Sequence, residues 1–155
     1  MKQQLIEAWN TGNKINLMLV ANTSADGLQK TLSTRGGRTV AEQLLHMHSV
    51  RMQWLETSAK ELFNNYRSNG KDAGADATAL SARFTESGKA IEQFIGESWD
   101  NGGKVSGFRK GLIPFIAYLL SHEAHHRGNI LLTLKQSGIK LPDALKWGIW
   151  EWNKV

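Results

Sequence analysis

Apolar residues recur every three or four positions along four long stretches of this chain, and only two prolines, Pro114 and Pro142, interrupt its 155 residues. That period turns one face of a helix inward, and it argues against a fold of many short alternating strands. Lys2 to about Asn22 places Leu5, Ala8, Trp9, Ile15, Leu19 and Val20 on this spacing, with Gly12 as a weak point. Thr23 to Arg38 carries Ser24, Asp26, Gly27, Gly36 and Gly37, and reads as a loop with at most one short helical turn. Thr39 and Glu42 form a capping box ahead of a second helix, which runs through Leu44, Met47, Arg51, Trp54, Leu55 and Leu62 to about Tyr66. The run SNGKDAGADA then breaks the pattern. A third helix is expected near Ala77 to Trp99, ending against Asn101, Gly102 and Gly103. A fourth spans roughly Leu112 to Ser137, with Pro114 tolerable in its first turn and Gly138 at its C-terminal cap.

Four such helices predict an all-α fold, an up-and-down four-helix bundle over residues 1–155 as one domain, with a short C-terminal helical element. With 41% hydrophobic residues the chain has enough apolar surface for one proper core. After Pro142 the tail LKWGIWEWNKV holds three of the six tryptophans, too much aromatic surface to leave in water, so it is expected to pack on the bundle or on a second subunit.

Composition also narrows the chemistry. There is no cysteine, which removes disulfides, thiolate nucleophiles and thiolate metal ligands, so any metal must be held by His, Asp or Glu. The net charge of +5 is scattered rather than gathered into a stripe with base-reading aromatics, which argues against nucleic acid as a partner. The N-terminal stretch lacks the unbroken apolar core of a signal peptide, and no stretch reaches the apolar length of a membrane span. A cytoplasmic protein with no membrane contact is the expectation.

All five histidines fall in two of the helices, His46 and His48 in the second and His122, His125 and His126 in the fourth. His122 and His126 are four apart, so they project from one helical face a turn apart, on the stripe of Leu112, Phe115, Leu119 and Ile130. One imidazole on an apolar face more often bonds a core hydroxyl or carboxylate. A pair at this spacing, with further histidines on another helix, points instead to a divalent metal: zinc, nickel or ferrous iron. A catalytic site usually takes three protein ligands and keeps one position open, so the second helix must supply His46 or His48. Periodicity alone favours His48, which falls with Leu44, Leu45, Met52 and Leu55, whereas His46 follows the more polar Thr39, Glu42 and Gln43.

TVAEQLLHMHSVRMQWLE, followed late in the chain by HEAHHRGNILLTLKQSGIKLP, resembles the two signature helices of the DinB/YfiT-like family. The resemblance implies a helical bundle with a three-histidine metal site. In its register the first ligand lies seven residues after the Ser/Thr that starts the helix and ahead of an aromatic-Leu pair, here Thr39, His46 and Trp54-Leu55. It thereby implies His46, His122 and His126 as the metal ligands, against the periodicity. Relatives of this kind are similar to thiol-dependent S-transferases, mycothiol-dependent isomerases and hydrolases. The resemblance therefore implies a metal-dependent transferase or hydrolase acting on a small molecule, with a low-molecular-weight thiol as a candidate co-substrate and a homodimer as the assembly.

Two other readings use the same letters. His122 to His126 also satisfies HExxH, in which Glu123 would be the general base of a metallopeptidase, but no downstream third histidine and no edge strand for a peptide accompany it. Outside that reading Glu123 has only a supporting or surface place. Alternatively the bundle binds metal without catalysis and serves dimerisation. Trp9, Trp54 and Trp99 read as packing residues. Arg51 and Arg127 lie near the histidine segments and could meet an anionic group, though surface pairing with glutamates is the commoner use.

Overall fold

The structure, a computed structural model, describes residues 1–67 and 74–155. Its helices follow in the order α1 (Lys2–Ala21), α2 (Ala25–Leu28), α3 (Val40–Ser58), α4 (Lys60–Tyr66), α5 (Ala77–Asp100), α6 (Leu112–Gln136) and α7 (Asp143–Gly148). Among the described residues there is no strand beyond an isolated bridge between Val105 and Phe108. The turn-rich segment expected after Tyr66 falls partly on residues 68–73, which lie outside the described residues.

Local chemistry sets the helix starts. The Thr39 hydroxyl accepts the Glu42 backbone N–H at 3.2 Å while the Glu42 carboxylate accepts the Thr39 N–H at 2.7 Å, the expected capping box of α3. The Asp76 carboxylate accepts the Ala79 N–H at 2.8 Å and opens α5 in the same way. The second helix differs from its expected span, because it breaks at Ala59 (φ −152°, ψ 64°) and restarts as α4. Ala59 itself is a good helix former and no side chain caps α4, so the only local mark of the break is the weaker Thr57-Ser58 pair before it. Its cause is tertiary: Ser58 donates its hydroxyl to the Ser106 carbonyl at 2.8 Å, and α4 turns Leu62 and Phe63 into the core shared with α5 and α6.

In cross-section the four long helices are ordered α1, α5, α3, α6, each packed along two neighbours. One core cluster joins Trp9 of α1, Leu55 of α3, Ile91 to Ile95 of α5 and Leu112 to Leu119 of α6. The other joins Leu19 and Val20, Leu44 and Met47, Leu80 and Phe84, and Ile130 and Leu134. The early half of α1 and α6 therefore meets the late half of α3 and α5. The four-helix bundle is as expected, but the chain runs through it up, down, down, up rather than alternating at every helix, the long connection between α3 and α5 letting these two lie parallel.

Between the two clusters lies a polar layer. Arg51, fully buried, donates from Nε to Glu123 Oε1 at 2.6 Å and from Nη2 to Glu123 Oε2 at 3.0 Å. Its Nη1 donates to Asn13 Oδ1 at 2.8 Å and Ser87 Oγ at 3.1 Å. Asn16 Nδ2 donates to Glu123 Oε2 at 2.6 Å, and Arg127 donates to Asn16 Oδ1 at 2.9 Å. The Arg51 guanidinium is sandwiched between the Trp9 and Phe84 rings, 4.6 and 4.7 Å from their centroids. Arg51 and Glu123 are thus interior residues, not the surface pair that an arginine near a glutamate first suggests.

The C-terminal tail departs from expectation within the single chain. Leu145 is buried and Gly148 packs against Met18, but Trp147, Trp150 and Trp152 remain 67%, 76% and 45% exposed. No helix among the described residues is long and apolar enough to cross a membrane.

Candidate metal centre

α3 lies between α5 and α6, and its buried stripe runs through Leu44, Met47, Arg51 and Leu55. His46 and His48 flank Met47 on either side, about 200° apart round the helix at roughly 100° per residue. Which flank meets which neighbour is decided by the order of helices round the bundle. His48 turns to α5, where burial first and then the positive charges of Arg83 and Arg51 lower its pKa to about 4. His46 turns to α6, where His122 and His126 stand one turn apart.

Three imidazoles converge there. His46, His122 and His126 each offer a nitrogen within 4.8 Å of the other two. His46 Nε2 and His122 Nε2 are 3.3 Å apart. The His126 ring centroid lies 4.9 Å from that of His46 and 4.6 Å from that of His122. His126 is buried and the other two are half-buried, so the cluster closes on the bundle side and opens outward. His125 points away from it, with Nε2 3.0 Å from Asn129 Nδ2 on the exposed flank of α6.

The cluster fits a divalent ion. With nitrogen ligands at about 2.0–2.1 Å and tetrahedral angles, two ligand atoms stand roughly 3.3 Å apart. That is the His46–His122 separation. Nδ1 of His122 and of His126 is buried with no hydrogen-bond partner among the described residues. An ion would satisfy the ring nitrogens that face it. Protonation is also arranged for ligation. Burial lowers the pKa of all three rings, and neighbouring imidazoles and the Arg38 guanidinium lower it further, taking His126 to about 4. Glu123 opposes this at His122 without reversing it. Near pH 7 the rings are neutral, as a ligand must be.

The residue-level match to a known family reaches well past these helices. The DinB family model covers residues 1–147. The chain belongs to the DinB family. No curated protein and no solved structure matches it. In this DinB chain the histidines that the family register singles out, His46, His122 and His126, are the three that come together, and His48 and His125 are not among them.

The HExxH alternative loses its base. Glu123 is 1% exposed, and both carboxylate oxygens are occupied by Arg51 and Asn16 inside the bundle. A general base must reach the proton it removes, and this carboxylate is committed elsewhere. Sequence reasoning missed the interior role of Arg51, Glu123 and Asn16. The signal was present: Arg51 sits four residues from both Met47 and Leu55, and Glu123 four residues after Leu119, so each is a charge on an apolar stripe.

Proposed function

We propose that this protein is a divalent-metal-dependent enzyme acting on a small molecule, as a thiol-dependent transferase or a hydrolase, with His46, His122 and His126 as the metal ligands. The observation that carries the reading is the composition of the cluster. It offers three imidazoles, and among the described residues no carboxylate joins them. Structural zinc sites are usually closed by four protein ligands, whereas three with an outward opening leave a place for a reactant. A divalent ion held there would act as a Lewis acid, bringing the pKa of a coordinated water or thiol toward neutrality. The chain's own contribution is to keep three neutral imidazoles in place at pH 7 and to close the inner side of the site with packed side chains. Zinc, nickel and ferrous iron all suit such donors.

Metal content by mass spectrometry, on untagged protein purified without chelators, tests this. We expect close to one ion per chain in the wild type, lost in His46→Ala, His122→Ala and His126→Ala and retained in His48→Ala and His125→Ala. Equal loss in all five variants would remove the proposed ligand set. Loaded protein then separates the two chemistries: consumption of an electrophile only with added thiol marks a transferase, and turnover without thiol a hydrolase.

A non-catalytic, self-associating bundle is favoured by one observation, the exposed Trp147, Trp150 and Trp152. Under either reading the partner we propose for that surface is a second copy of the chain. A purely monomeric species at micromolar concentration in sedimentation would remove it.

A further inference from the structure

Beside the histidine cluster is a cleft of about 410 Å³, lined in part by the ligand candidate His126 and by Arg38 from the loop ahead of α3. The other lining residues include Thr31, Ser33, Asn129 and Thr133, and none is acidic. Arg38 is exposed and makes no hydrogen bond or ion pair with a described residue. The nearest carboxylate in sequence, Glu42, is held by the Thr39 N–H in the capping box at 2.7 Å. The loop is organised rather than slack: Val40 N–H bonds the Lys30 carbonyl at 2.9 Å across its base, and the Ser33 hydroxyl accepts the Gly37 N–H at 2.8 Å. A guanidinium is thereby kept at the rim of a cleft that reaches the metal candidate, facing hydroxyls and amides and no counter-charge.

We propose that this cleft binds an oxyanion, a carboxylate or phosphate carried by the small molecule on which the centre acts, with Arg38 as its recognition cation. The planar fork of an arginine matches such a group with two parallel donors, and a bound divalent ion would add to the positive field. Its meaning as a substrate subsite rests on the proposed enzymatic reading; the anion binding itself does not require the metal. Arg38 is a specificity residue here, and does none of the chemistry.

The test is titration of inorganic phosphate, and separately of acetate, into isotope-labelled full-length protein followed by backbone amide NMR, with the protein metal-loaded and metal-free. We expect saturable shifts centred on Ser33, Arg38 and Asn129 in both forms. Arg38→Met should weaken the affinity by about tenfold, the loss of one charge-assisted contact, with Arg38→Lys in between and unchanged thermal midpoints for both variants. Response to phosphate but not acetate, or the reverse, names the anionic group. Shifts that do not saturate, that map elsewhere, or that persist at equal affinity in Arg38→Met would overturn the proposal. Anion binding intact in a protein that never takes up metal would instead defeat the enzymatic reading and leave the anion site standing.

Discussion

At the scale of single residues, the histidines divide by what surrounds them, and pH should expose the division. His48 and His126 both have folded pKa values of about 4 against an ordinary 6.5, chiefly through burial. A histidine with a lowered folded pKa takes up its proton more readily in the unfolded chain. Stability of the metal-free protein should therefore be full above about pH 6.5 and decline as pH falls through the window down to about 4. Thermal midpoints of metal-free protein measured between pH 7.5 and 4 check this, and His48→Gln, which cannot be protonated, should flatten part of the decline. An undiminished midpoint at pH 4.5 would show that neither ring is held neutral. Metal uptake should fall over the same range, since each ligand must lose its proton to bind.

At the scale of elements, the placement of His46 depends on how α3 begins. His46 lies seven residues after Thr39, within the first two turns that the capping box secures. Thr39→Ala removes the hydroxyl that accepts the Glu42 N–H and should cost about 1 kcal/mol. Fraying there should also weaken metal binding, read by competition with a chromophoric chelator, while Ser24→Ala at the start of the short α2 leaves it unchanged. This start was legible in the sequence because a capping box is written in two residues three apart. The four long helices were legible for a similar reason: periodicity and caps are local. The choice between His46 and His48 was not, because both flank the same buried stripe, and only the order of neighbours round the bundle says which flank meets α6. Periodicity therefore pointed to the flank that meets α5, and the register of the family resemblance picked out the histidine that meets α6. The break at Ala59 was hidden likewise, since its causes are the Ser58 bond to Ser106 and the packing of Leu62 and Phe63. For the three tryptophans of the tail the sequence left two places open, the bundle or a second subunit, because the choice depends on how α7 docks, and within the single chain Trp147, Trp150 and Trp152 stay exposed.

At the scale of the whole molecule, the polar layer ties α1, α3, α5 and α6 together at one level of the bundle, with an apolar cluster on either side. It costs desolvation, and each of its charges is costly to strand. Removing one partner of a buried, hydrogen-bonded pair typically destabilises by about 3–5 kcal/mol, while replacing both with apolar groups of similar size is often neutral. Arg51→Met and Glu123→Leu should each therefore lower stability by about that amount, and the double substitution by much less than the sum. What the layer specifies is alignment. Glu123 lies between His122 and His126 on α6, and Arg51 is five residues beyond His46 on α3, so the bidentate bond between them fixes the sliding position of α3 against α6. An apolar pair in their place could pack at more than one register. The double variant is accordingly expected to refold to near wild-type stability in urea and yet bind metal more weakly than wild type, by about tenfold for a loss of alignment worth roughly 1.4 kcal/mol. Wild-type metal affinity in that variant would mean that packing alone sets the register, and that the buried ion pair contributes nothing to the centre beside it.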